Sequence, residues 1–282
     1  MNFRKTAMLL GCAVLMGTVA LSAQIKIKDG EKIAFLGDSI TQQGHNYPAG
    51  YVNMVMIGLK ANGIKAEMVK AGISGHKSNN MLARLDKDVI SKKPQIMTLS
   101  CGVNDVWHGA RGVKLEDYKK NIRQIVDKAL AANIQVYIMT STMVTENPKH
   151  KNNLKLDEYN KFLKELAAEK KLPLVDLNAS MKKVLTDIKA KYPDVNTNFL
   201  TVDGVHMNPL GNMVMAGTIL KSFGFTDAEM KKALAEWLKL NWTVRGIGTF
   251  TVKEYFTIET ALWAQKKNMS GYINEKLREL LK

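Results

Sequence analysis

The sequence predicts an α/β fold, a parallel sheet sandwiched between helices. Three observations carry this. Short apolar runs alternate with longer amphipathic stretches from about residue 32 to residue 223. The loops that follow the runs hold turn-forming residues such as Gly37, Gly72 and Gly102. No internal repeat or low-complexity tract interrupts the alternation. Strands alternating with helices imply right-handed βαβ units and therefore a parallel sheet.

The first run, at about 32–36, holds four apolar residues from Ile33 to Leu36 and reads as a buried strand that Gly37 ends. A helix is expected at 47–61, closed by Asn62-Gly63. Strands at 64–69, 96–99, 134–139 and 174–176 follow, with helices at 80–91, 115–132, 154–170 and 179–190 between and after them. Leu115, Tyr118, Ile122, Ile125, Val126 and Leu130 fall on one face of the helix at 115–132. A further helix follows Pro209, a residue suited to a first helical turn.

From Phe225 the alternation stops. Thr226 and Glu229 have capping-box spacing for a helix running to Leu240. The stretch 243–252 contains Gly246 and Gly248 and reads as a loop or short hairpin, with helices expected at 254–267 and 271–281. Trp237, Trp242 and Trp263 are expected to pin this tail to the main domain. The chain thus divides into residues 1–23, a main domain at 24–224, and a mostly helical C-terminal extension at 225–282.

Composition limits the function classes. At 282 residues, 46% hydrophobic and 24% charged, the chain can bury a large core, which excludes global disorder. The net charge is +15, but Lys and Arg are spread along helical segments rather than gathered in one block. The charge therefore reads as a solvated surface favouring acidic substrates, with no nucleic acid partner. Arg4 and Lys5 precede an apolar run at 7–21, and Leu21-Ser22-Ala23 supplies small residues for cleavage. This is the layout of a secretory signal peptide, too short for a membrane span, so the mature chain is expected to be exported, to start at Gln24 and to carry no integral span. The rival reading is a lipoprotein box at Leu9-Leu10-Gly11-Cys12, with a lipid anchor at Cys12. With the signal removed Cys101 is the sole cysteine, so no internal disulfide forms; its place after an apolar run predicts a buried, inert thiol.

Four stretches occupy the same position, the loop after a strand: Gly37-Asp38-Ser39, Ala71-Gly72-Ile73-Ser74-Gly75, Gly102-Val103-Asn104-Asp105, and Asp203-Gly204-Val205-His206. Loops at one edge of a parallel sheet converge, however distant in sequence. Ser39 is the candidate nucleophile and needs a base to take its proton. His206 is the candidate base, and Asp203, three residues earlier, the candidate acid that orients it. The backbone N–H groups of Ser39 and Gly72 and the side-chain amide of Asn104 are candidate oxyanion donors.

In order and spacing these stretches resemble the blocks of the SGNH, or GDSL, hydrolase family of esterases and acylhydrolases, over roughly residues 32–223. The resemblance implies a flavodoxin-like three-layer α/β/α sandwich with a five-stranded parallel sheet. It also implies catalytic roles for Ser39, Asp203 and His206, with Ser39, Gly72 and Asn104 forming the oxyanion hole. Blander roles exist for single residues: Asp38 capping a turn, or Asn104-Asp105 ordering its own loop.

His45, His76 and His108 lie a few residues beyond Ser39, Gly72 and Asn104, with Trp107 on the third loop. Substrate contact is preferred to a three-histidine metal site, because acyl transfer requires neither metal nor cofactor. The polar and aromatic rim favours a hydrated acyl ester, most simply an acetyl ester on a carbohydrate. The alternatives are a lysophospholipase or thioesterase activity, or a silent glycan-binding module.

Overall fold

The computed structural model describes residues 27–245, 247–269 and 271–272. The segment read as a signal peptide, Cys12, and the expected helix beyond Tyr272 lie outside the described residues. Five strands, β1 (Lys32–Gly37), β2 (Glu67–Gly72), β3 (Ile96–Ser100), β4 (Gln135–Met139) and β5 (Leu174–Val175), form one parallel sheet in the order β2-β1-β3-β4-β5. Helices cover both faces, giving three layers. From β1 the chain steps outward to β2 and then crosses back to β3, so strand order reverses around β1. Open α/β sheets place their ligand crevice at such a reversal, beyond the carboxyl ends of the strands.

Strands β1 and β3 are buried along nearly their whole length, which is why they read as unbroken apolar runs. The edge strand β2 differs from expectation. It begins at Glu67, while Ile64 and Ala66 pack beside the core as partly buried loop residues. Pairing with β1 sets its register, from Lys32 opposite Glu67 to Gly37 opposite Gly72.

The helices are α1 (Ser39–Asn46), α2 (Tyr51–Ala61), α3 (Ser78–Asp88), α4 (Val103–Trp107), α5 (Leu115–Ala131), α6 (Lys151–Glu169), α7 (Leu177–Lys191) and α8 (Pro209–Ser222). Tyr118, Ile122, Ile125, Val126 and Ala129 are the buried face of α5. Helix α8 is buried almost all round, starts from Pro209, and is capped by Asn208, whose Oδ1 accepts from the N–H groups of Leu210 and Gly211. The helix expected at 47–61 is α2, which starts four residues later, and an unexpected helix, α1, precedes it and begins at Ser39 itself.

The last part of the chain forms α9 (Asp227–Trp237), an antiparallel hairpin of β6 (Asn241–Val244) and β7 (Gly248–Thr251), and α10 (Val252–Ala264). The Thr226–Glu229 capping box is present, and Thr251 and Glu254 form a second one that starts α10. The Trp237 indole N–H donates to the Met54 carbonyl at 2.7 Å. Trp263 packs edge-on against Phe199 and Tyr192, with ring centroids 5.0 and 5.6 Å away. Trp242 meets the Tyr47 ring edge-on at 6.2 Å. All three tryptophans reach residues before Phe225.

Glu259, on α10, is buried beside Tyr255 and Trp263, and burial pushes its carboxyl up from 4.5 to about 7. Folding favours its neutral form. The stability it contributes is full below the ordinary carboxylate range and is lost as pH rises through about 7, a change of about 3 kcal/mol. Glu259→Gln removes this loss. Urea unfolding of the variant should fall less between pH 5 and pH 8 than that of the parent; an identical pH dependence would contradict the assignment.

Candidate active site

The site starts where β1 turns into α1. Asp38 is the N-cap of α1, its Oδ1 accepting from the Ile40 N–H at 2.9 Å, so the capping role holds. Burial pushes its carboxyl up to about 6. Ser39 is the first helical residue, so its own N–H has no intrahelical partner and its hydroxyl stands over the sheet edge.

Gly72 ends β2 directly opposite Gly37. The Ile73 N–H donates to the Gly37 carbonyl, which by strand alternation turns the Gly72 N–H away from β1. A Cβ at Gly72 would strike the backbone N of Gln42 and C of Thr41, so the first turn of α1 lies against it only because glycine is there. Gly102 opens α4 at φ +139°, and a Cβ there would meet the Ser141 hydroxyl. That hydroxyl and the Tyr118 phenol both donate to the Cys101 carbonyl, at 2.6 and 2.8 Å, fixing the turn after β3.

Asn104 is buried on α4, and its Nδ2 donates to the His76 carbonyl at 3.2 Å, which aims the amide and engages one of its two N–H groups. Neighbouring Asp105 takes the ordering role. Its Oδ1 accepts from the Ser78 N–H at 3.0 Å and the Ser78 hydroxyl at 2.6 Å, tying α3 to α4. Because β2, β1 and β3 are adjacent, the Gly72, Ser39 and Asn104 donors stand side by side past one edge. Asn104→Ala is expected to lower kcat by about 10²–10³-fold with a smaller change in KM. Steady-state kinetics on an aryl acetate check this.

The fourth stretch departs from expectation: it follows no strand of the sheet but lies in the segment between α7 and α8. A bridge between Thr201 and Met207 closes this loop, reinforced by the Val202 N–H donating to the His206 carbonyl at 2.8 Å. His206 Nε2 lies 2.9 Å from Ser39 Oγ, and its Nδ1 lies 2.6 Å from Asp203 Oδ2. Asp203 Oδ1 accepts from the Val205 and His206 N–H groups at 2.9 and 2.8 Å. Partial burial raises the Asp203 carboxyl, but the bonds from the His206 ring and these N–H groups outweigh it and hold the group below its ordinary value. An ionised carboxylate only accepts, so Nδ1 carries the proton and Nε2 offers its lone pair to Ser39.

Sequence reasoning missed the supports of this relay. Buried Glu146, just beyond β4, accepts from the N–H groups of Phe199, Leu200 and Thr201 and from the Thr201 hydroxyl, at 2.7 or 2.8 Å each. One carboxylate thereby fastens the loop that carries Asp203 and His206. Asn212 accepts from the Tyr51 N–H at 2.8 Å, and the Tyr51 phenol meets the Thr41 hydroxyl at 2.7 Å, bracing α8 against α1. Arg84 donates to the Gly37 carbonyl at 2.9 Å. The sequence signal was slight: an acidic residue in the loop that follows a strand.

His76 and His108 both bond to Asn104, whereas His45 lies on α1. His45 is buried on α1, bonded to Asn46, and burial lowers its pKa. His76 takes the Arg84 Nε–H on its ring at 3.0 Å; burial and the Arg84 cation hold it below its ordinary value. His108 bonds the Asn104 carbonyl through Nδ1 at 2.9 Å. Trp107 is 44% exposed. Among the described residues no three metal-binding side chains gather. Cys101 is buried, and burial pushes its thiol well up, so it offers no thiolate. No helix among the described residues is long and apolar enough to cross a membrane.

A serine, histidine and aspartate relay over the carboxyl edge of a parallel α/β sheet defines a serine-dependent acyl hydrolase. A family model, the GDSL-like lipase/acylhydrolase family, matches residues 35–214. The chain belongs to that family, the SGNH or GDSL hydrolases, and is a carboxylic ester hydrolase. An acetylxylan esterase of Geobacillus stearothermophilus is 30% identical over 220 residues, covering 71% of this chain and 97% of the relative. The solved acetyl xylan esterase AlAXEase matches with a TM-score of 0.63 at 29% identity, over 68% of this chain and 98% of its own. Axe2, an acetylxylan esterase from G. stearothermophilus, matches with a TM-score of 0.63 at 29% identity, over 72% and 98%. Solved catalytic mutants of Axe2 replace a serine, an aspartate and a histidine, the last two three positions apart. Asp203 and His206 have that spacing.

Proposed function

We propose that this esterase removes acetyl groups from a carbohydrate through Ser39, His206 and Asp203. The observation that carries the reading is the continuous relay from Asp203 Oδ2 through both ring nitrogens of His206 to Ser39 Oγ. In the first step Ser39 Oγ bonds to the acetyl carbon while His206 Nε2 takes its proton. Negative charge gathers on the carbonyl oxygen, facing the Ser39 and Gly72 N–H groups and the Asn104 amide. The bond to the sugar oxygen then breaks, and His206 returns the proton to that oxygen. Water repeats the sequence on the acetyl-Ser39 intermediate and releases acetate. Asp203 holds the ring tautomer and balances the imidazolium throughout.

The acetylxylan esterases among the relatives support an acetyl ester of a sugar as substrate. Acetate release from acetylated xylo-oligosaccharides, with p-nitrophenyl acetate cleaved in strong preference to the octanoate, is the expected result. The opposite chain-length preference would replace this reading with a lysophospholipase or thioesterase one. Export belongs to the same proposal, and the segment ahead of Gln24 supports it: Arg4 and Lys5, an apolar run and Leu21-Ser22-Ala23. A mature chain beginning at Gln24 in the periplasm or medium is its check.

A further inference from the structure

The hairpin and α10 build a cavity beside the relay. It measures about 890 Å³ and runs between the segment 197–206 and the hairpin, with His206 and Asp203 in its wall. Neither Ser39 nor the oxyanion donors Gly72 and Asn104 line it. That asymmetry fixes which part of an ester belongs there. The acyl oxygen must face the donors, whereas the leaving alcohol must stand beside His206 Nε2, from which it takes its proton.

From this placement we infer that the cavity is the subsite for the alcohol part of the ester, a chain of sugar rings. This deepens the acetyl-carbohydrate reading and rests on it. The volume far exceeds what an acetyl group fills and falls within the range of sites that enclose ligands. Its lining combines the Tyr47 and Trp242 rings with the amides of Gln43, Asn198 and Asn268. Aromatic faces suit the C–H faces of sugars, and amides pair with their hydroxyls.

The wall is anchored. The Val252 and Lys253 N–H groups donate to the Leu240 and Leu238 carbonyls, at 2.8 and 3.1 Å, and Trp263 packs on Phe199. The hairpin and α10 also lie beyond residues 35–214, where the family match ends, and relatives matched over 97–98% of their own length cover only 68–72% of this chain. One side of the subsite, the hairpin and α10, therefore lies outside the family match, and it faces Gln43, Tyr47 and the 197–206 segment, which lie within it.

The test compares kcat/KM on acetylated xylo-oligosaccharides with kcat/KM on p-nitrophenyl acetate, for the full chain and for Trp242→Ala and Tyr47→Ala. The ratio of the two is independent of how much of each preparation is active. It is expected to fall about tenfold in Trp242→Ala, the loss of about 1.4 kcal/mol of ring contact, and in the same direction in Tyr47→Ala, whose ring is exposed and whose loss spares the core. A ratio unchanged in both variants overturns the inference even if the parent deacetylates the oligosaccharide. A parent that cleaves p-nitrophenyl acetate but not the oligosaccharide overturns the carbohydrate reading, and this inference with it.

Discussion

Ser39→Ala is expected to leave a folded protein whose kcat for ester hydrolysis has fallen by about 10⁴-fold or more. The hydroxyl is the group that joins the relay to the substrate, 2.9 Å from His206 Nε2. Buried Cys101 carries a thiol pushed well above its ordinary value and cannot take over. Alanine suits the first turn of a helix, and the cap of α1 comes from Asp38, so the melting temperature should hold. Matched thermal melts and p-nitrophenyl acetate assays separate the two effects. Turnover retained within tenfold would remove Ser39 from the mechanism.

Asp203→Asn should cost about 10⁴-fold in kcat, through the ring tautomer rather than through packing. The Val205 and His206 N–H groups claim the Oδ1 position, so the amide oxygen of the variant settles there. Its NH₂ group then faces His206 Nδ1, which must become the acceptor. The ring proton moves to Nε2, the nitrogen that should receive the Ser39 proton. A nitrogen chemical-shift measurement on His206 reads the tautomer directly, and retention of the parent's tautomer together with parent-like turnover would refute the argument. Because His206 and the two N–H groups hold the Asp203 carboxyl low, its protonation contributes nothing to the acid limb of the activity profile at ordinary assay pH.

The sheet was legible in the sequence because its central strands are buried on both faces and write continuous apolar runs. The edge strand was read three residues early, since half-buried Ile64 and Ala66 mimic the pattern while pairing with β1 decides the register. Helix α1 was invisible. Gln42, Gln43, Gly44 and Asn46 have no apolar period, and the helix is held by the Asp38 cap, the close approach of Gly72 and the Tyr51–Thr41 bond. The relay was readable since its parts fall in short local motifs, Gly37-Asp38-Ser39 where β1 turns into α1 and Asp203 three residues before His206 ahead of α8. Its supports were not. Glu146 acts on residues 53 to 55 positions away, and the cavity exists only once the hairpin folds back beside the 197–206 segment. Such tertiary partnerships leave no local trace.

The contacts that join α1 and α2 to the region from His206 onward also set when activity can arise during folding. The Ser39–His206 and Tyr51–Asn212 bonds span 167 and 161 residues, and Trp237 reaches Met54 across 183. Long loops close late and slowly, after local helices have formed. Any refolding species that has its helices but not these contacts lacks the relay and is inert towards esters. Hydrolysis returns with the docking of the loop before α8, so turnover times the arrival of native topology, while circular dichroism times only the helices.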